Sequence, residues 1–148
     1  MDTNTNTKHH EAKYHELLYN ELSYEIQGAA IEVRKHNGPG HKESLYQRAY
    51  AEELQNRKIK FEREKNIAVY SPRKVKVGSY QPDFIIDDKV VVEVKALENL
   101  PRKMLDQLFD YLRNSEYELG YLINFASPKL YIKRIIYTND RKGFIREN

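Results

Sequence analysis

Tyr80-Gln-Pro-Asp83-Phe-Ile-Ile-Asp-Asp-Lys-Val-Val-Val-Glu93-Val-Lys95 is the stretch that decides how this chain folds. Asp83 to Ile86 and Val90 to Val94 are continuously apolar runs, which places both as strands near the middle of a sheet. Asp87-Asp88-Lys89 between them predicts a tight antiparallel hairpin, with the two aspartates as turn formers. Asp83 therefore opens one strand and Glu93-x-Lys95 closes the next. Side chains two apart on a strand share a face, so Glu93 and Lys95 project together while Val92 and Val94 face the other way. Two carboxylates and an ammonium are set to gather around one point.

Working outward, residues 1 to about 16 are polar and without apolar periodicity, which predicts a flexible tail. Its His9, His10 and His15 lack the rigid scaffold that a metal site needs. Leu18, Leu22, Ile26, Ala29, Ala30 and Val33 recur at three and four residues and predict a helix that stops at Gly38-Pro39-Gly40. Gly28 within it suggests a close helix crossing. A second helix is expected from about Glu43 to Arg57, with Leu45, Tyr46, Ala49, Tyr50 and Leu54 on one face. Phe61 to Tyr70 and Lys74 to Tyr80 read as strands joined by a turn at Ser71-Pro72. A third helix is predicted from about Pro101 to Asn114, with Pro101 in its first turn. The strands Leu119 to Phe125 and Leu130 to Tyr137 complete an α/β sandwich around a mixed sheet.

The 148 residues suit one domain, over residues 17–148. Cysteine is absent, which removes disulfides, thiolate metal sites and cysteine nucleophiles together. No apolar run approaches a membrane span and no signal-peptide core is present, so a cytoplasmic protein is expected. The net charge of +3 leans only weakly toward acidic partners. Arg73, Lys74 and Lys76 cluster at the expected hairpin, and Arg102, Lys103, Lys129, Lys133 and Arg134 lie downstream of the carboxylates. Such runs are more often a solvated surface than a phosphate track.

Taken in order, Gly40-His-Lys-Glu43-Ser-Leu-Tyr46, Pro82-Asp83, Glu93-Val94-Lys95-Ala96, Gln107 with Tyr111, and Leu122-Ile123-Asn124-Phe125 before Ser127-Pro128-Lys129 resemble the PD-(D/E)XK nuclease superfamily. Within it, the pattern is similar to the family named for its Gly-x-x-Glu-x-x-Tyr motif. His41-Lys42 departs from that pattern, where apolar residues are expected. The resemblance implies a restriction-endonuclease-like three-layer sandwich, a mixed β-sheet flanked by helices. It also implies a nuclease that hydrolyses DNA phosphodiesters with Mg²⁺, for which Mn²⁺ can substitute.

Phosphodiester hydrolysis requires charge neutralisation on the phosphate and a hydroxide-like nucleophile, and a hard cation on oxygen ligands supplies both. Asp83 and Glu93 are the expected ligands. The resemblance adds the Val94 carbonyl and, directly or through water, Glu43. Lys95 is expected to position the attacking water or steady developing negative charge. Gln107 and Tyr111, four apart on a helix, share a side, and their resemblance to the Gln-x-x-x-Tyr pair of the superfamily's exonuclease branch implies that they line the site. Tyr46 shares a face with Glu43 and is expected among the site-lining residues, packing there with its hydroxyl orienting the carboxylate. An ordinary strand-end ion pair does not explain Asp83, Glu93 and Lys95 together, because burying all three is costly unless they are paired or metal-bound. His36 and His41 read as exposed loop bystanders. The expected partner is nucleic acid, DNA ahead of RNA, with a homodimer presenting two sites as a further expectation. The alternative is a non-catalytic nucleic-acid-binding or assembly module that keeps the fold. A small-phosphate hydrolase is disfavoured because no glycine-rich phosphate loop is present.

Overall fold

The computed structural model describes residues 18–145, so the expected tail lies outside the described residues. Its elements are α1 (Asn20–Asn37), α2 (Glu43–Asn56), β1 (Phe61–Arg63), β2 (Ile67–Tyr70), β3 (Lys76–Tyr80), β4 (Phe84–Ile86), β5 (Val90–Lys95), α3 (Arg102–Arg113), β6 (Leu119–Asn124) and β7 (Tyr131–Ile136). Five strands form one mixed sheet in the order β1-β4-β5-β6-β7. Only the β5–β6 pair is parallel, and α3 makes the crossover between these strands.

Strand alternation sorts the sheet into two cores. Val90, Val92 and Val94 join Phe84, Ile86, Tyr121 and Ile123 beneath α1 and α2, where Ile26, Ala29, Ala30, Val33, Tyr50 and Leu54 are buried. Ile85, Val91 and Leu122 point to the other face and meet Leu108 and Leu112 of α3. Burying each of these leucines contributes about 1.5–3 kcal/mol. The product is a three-layer sandwich of the restriction-endonuclease-like kind: the order of elements predicts the α/β sandwich, and the resemblance its restriction-endonuclease-like form.

Local chemistry explains the boundaries. α1 ends where Gly38 takes φ 69° and returns its N–H to the Arg34 carbonyl at 2.8 Å. The β4–β5 hairpin turns through Asp87 and Asp88, both at positive φ as a mirror-image turn demands. Gly28 does allow a close approach, but a guanidinium rather than a helix backbone makes it. A β-carbon there would stand 2.8 Å from Arg57 Nη1, and Arg57 is paired with Glu25 and Glu53 at 2.9 Å each. Arg34 donates to the carbonyls of Phe125, Ser127 and Pro128 at 2.8–2.9 Å, which fixes the loop after β6 on α1.

Two expectations are corrected. The run from Phe61 to Tyr70 is two strands in different sheets, because Glu64 takes φ 54° and turns the chain between them. β1 joins the edge of the main sheet, while β2 and β3 form a separate antiparallel hairpin. Pro101 stands at the cap of α3 and not within its first turn. Among the described residues, no helix is long and apolar enough to cross a membrane.

Candidate active site

The register of the β4–β5 hairpin builds the site. Phe84 pairs with Val92, so the residues just before Phe84 lie beside the last residues of β5. Asp83 is thereby brought against Glu93 and Val94. Its N–H donates to Glu93 Oε1 at 3.0 Å, and its Oδ2 accepts the Val94 N–H at 2.8 Å. The Tyr80 hydroxyl donates to the same Glu93 Oε1 at 2.6 Å. Each carboxylate thus spends one oxygen on backbone or hydroxyl hydrogen bonds. Among the described residues Asp83 Oδ1 has no hydrogen-bond partner, and Glu93 Oε2 lies 4.0 Å from Lys95 Nζ.

Pro82 has a physical role in this arrangement. Lys95 gives its carbonyl to the Phe125 N–H on the β6 side, so by alternation the Val94 peptide groups face β4. Continuing the β4–β5 register sets Pro82 opposite Val94. Proline has no N–H to offer the Val94 carbonyl, and the Val94 N–H is taken by Asp83. One strand position thereby gives up its ladder pairing, and the Val94 carbonyl receives no donor from Pro82.

The electrostatics describe an acid cluster held under strain of charge. Burial raises Glu93 to about 7, and the Asp83 charge adds to it; Tyr80, the Asp83 N–H and Lys95 pull the other way. Burial also raises Asp83, opposed first by the Val94 N–H and then by Lys95 and Arg63. Glu43 is raised by burial as well, with Lys95 lowering and Asp83 raising it. Glu43 is therefore an electrostatic neighbour of the pair at the start of α2. It does not join them in a ligand set: among the described residues, no group of three or more His, Asp or Glu stands close enough together to hold a metal ion.

The helix α3 supplies the other wall. Gln107 Nε2 donates to the Tyr111 hydroxyl at 3.2 Å, confirming that the two share a side. Tyr111 stacks on Tyr80 with ring centroids 3.6 Å apart and planes 5° from parallel. Gln107 and Tyr111 also line a hollow of about 540 Å³ with Lys103, Met104, Asp106 and Asp110, and Asp83, Glu93 and Lys95 are not among its walls. Tyr46 does not line the site. It is fully buried against Phe125, and its hydroxyl donates to the Gly38 carbonyl and accepts the His41 N–H instead of reaching Glu43. That pair of bonds fixes the loop in which Gly40 takes φ 99°, and so sets where α2 begins and where Glu43 stands. His36 and His41 are exposed, and His41 Nε2 contacts the Asn37 carbonyl at 2.9 Å.

A model of the PD-(D/E)XK nuclease superfamily matches residues 20–135. The chain belongs to that superfamily. No curated protein and no solved structure gives a significant match. The residues that give the superfamily its name stand here as Pro82-Asp83 and Glu93-Val94-Lys95, at the adjoining ends of β4 and β5. Two supporting residues escaped the reading of the sequence. Tyr80 orients Glu93, but its partner lies 13 residues away and across a sheet boundary, so only its place just before Gln81-Pro82-Asp83 marks it. Asn124 is fully buried and bonds both the N–H and the carbonyl of Leu97, at 2.9 and 2.8 Å, which pins the chain just after Lys95.

Proposed function

We propose that this nuclease-superfamily chain hydrolyses DNA phosphodiester bonds with a divalent cation, Mg²⁺ or Mn²⁺, and water as the nucleophile. The observation that carries the reading is the juxtaposition of Asp83, Glu93 and Lys95 with the Val94 carbonyl at one strand end. The donor set suits a hard cation. It is all oxygen, it is open, and burial raises the proton affinity of both carboxylates, with the Asp83 charge adding to that of Glu93, in a way that a cation would relieve. Mg²⁺ is ordinarily held by one or two protein carboxylates with water and phosphate oxygens completing its shell. Asp83, Glu93 and the Val94 carbonyl would hold it, with Glu43 reaching through water. Bound there, the cation neutralises phosphate charge and lowers the pKa of its water.

The protein's own groups do the rest. Tyr80 and the Asp83 N–H hold Glu93 by Oε1 and keep Oε2 on the cation side. The Val94 N–H does the same for Asp83 through Oδ2. The Lys95 ammonium, 4.0 Å from Glu93, is placed to donate to the attacking water or to the phosphate oxygen that gains charge. Gln107 and Tyr111 border the substrate. We also assign the chain to the Gly-x-x-Glu-x-x-Tyr family, on the support that Gly40, Glu43 and Tyr46 act together as loop, acid and loop anchor.

Cleavage of DNA with Mg²⁺ in H₂¹⁸O tests the chemistry. The expected result is one ¹⁸O atom in the single terminal phosphate formed at each cleavage and none in the hydroxyl end, read by mass spectrometry. Absence of cleavage, or phosphate ends without the label, contradicts hydrolysis by water.

A further inference from the structure

The β2–β3 hairpin stands apart from the main sheet, and its charge is unlike that of the rest of the chain. From Lys65 to Pro82 the sequence holds four of the 25 Lys and Arg and none of the 22 Asp and Glu. The remainder of the chain, with 21 basic and 22 acidic residues, carries one net negative charge, so the whole positive excess is concentrated here. Lys65 is paired with Glu62 at 3.3 Å. Among the described residues, Arg73, Lys74 and Lys76 have no ion-pair partner, and every residue from Pro72 to Ser79 is exposed.

This tip is ordered by its own hydrogen bonds. Ser71 exchanges backbone bonds with Val75 and Lys74 at 2.8 and 2.9 Å, and its hydroxyl accepts the N–H groups of Arg73 and Val75. The base is docked. Tyr70 donates its N–H to the Asn114 carbonyl at 2.8 Å and packs against Phe144, while Tyr80 stacks on Tyr111 and bonds Glu93. The hairpin therefore leads directly from the carboxylates to an exposed cluster of cations. Lys76 lies four strand residues from Tyr80, or about 13 Å at ~3.3 Å per residue.

We propose that the β2–β3 hairpin is a nucleic-acid arm, in which Arg73, Lys74 and Lys76 grip the phosphate backbone of the nucleic acid held at the carboxylates. The proposal rests on the nuclease reading for the substrate at the carboxylates, and on charge complementarity for its occupant. Val75 and Val77, 59% and 65% exposed, are the apolar component of the same tip. Because phosphate contacts carry no base information, the arm sets position and affinity without sequence preference.

The test is binding of a fluorescent DNA duplex in EDTA at several salt concentrations, so that no catalysis is needed. Arg73→Gln/Lys74→Gln/Lys76→Gln is compared with wild type and with Lys35→Gln/Lys58→Gln/Lys133→Gln, which removes the same charge from exposed positions on other elements. Three lost phosphate contacts are expected to reduce the slope of log K against log salt by about 2.7 and to weaken binding ~100-fold at 0.1 M salt. The control is expected to keep the wild-type slope, and both variants the wild-type circular dichroism. Equal slopes for wild type and arm variant, equal losses in both variants, or absence of wild-type binding would overturn the arm. So would loss of a dimer on substituting Val75 and Val77 by Thr with the salt slope unmoved, which would make the tip a contact between copies. Cleavage of the same duplex with Mg²⁺ is scored alongside. A shifted slope without cleavage keeps the arm and removes the catalytic reading; cleavage with an unshifted slope does the reverse.

Discussion

Glu93 shows at the scale of one residue how function and stability oppose each other. Its side chain is 14% exposed, and its pKa stands at about 7 against an ordinary 4.5. Between those values the folded state binds more protons than the unfolded one, so the cation-free protein loses stability as pH rises through that window. The loss is complete above about pH 7 and absent below about pH 4.5. Glu93→Gln keeps an acceptor for Tyr80 and the Asp83 N–H while removing the charge. It is expected to stabilise the protein in EDTA at pH 8 by on the order of 2–3 kcal/mol, with the gain vanishing toward pH 4.5. Denaturant unfolding at the two pH values checks this. A variant no more stable than wild type at pH 8 would show that the carboxylate is not held against its preference.

At the scale of elements, the decisive device is the end of the β4–β5 hairpin, where Pro82 withholds a donor from the Val94 carbonyl. Pro82→Ala restores an N–H at that position and lets the ladder grow by one pair. The expected outcome is an intact fold with roughly tenfold weaker binding of Mn²⁺, equivalent to ~1.4 kcal/mol. Calorimetric titration measures it, and unchanged affinity would remove the Val94 carbonyl from the donor set. This hairpin was legible in the sequence because its parts are local: a turn of three residues fixes the register, and the register alone brings Asp83 to Glu93. Elements that depend on distant partners were less so. The alternation of Phe61 to Tyr70 runs through Glu64 without a glycine or proline, so nothing local marks the positive φ that divides β1 from β2. Tyr46 reads as a neighbour of Glu43 on a helical wheel, yet its hydroxyl is drawn off by the Gly38 carbonyl on the far side of the loop.

For the whole molecule, three layers converge on one strand end. α2 brings Glu43 from one face, α3 brings Tyr111 onto Tyr80 on the other, and the sheet between them supplies Asp83, Glu93 and Lys95. The sequence announced the central residues through their order, and the outer ones only through resemblance to a family. Tyr80 and the docking of the basic hairpin became visible only when the chain was folded. The central claim is that this convergence is a metal-dependent nuclease site whose chemistry needs Lys95. It is tested most directly by nicking of supercoiled plasmid with Mg²⁺ or Mn²⁺, against EDTA, for wild type and Lys95→Ala in parallel. The account predicts cleavage that requires the cation and falls by at least ~100-fold in Lys95→Ala, in line with loss of one electrostatic stabiliser of the transition state, while cation binding and fold persist. Undiminished cleavage by Lys95→Ala, or no cleavage by the wild type under either cation, would contradict it.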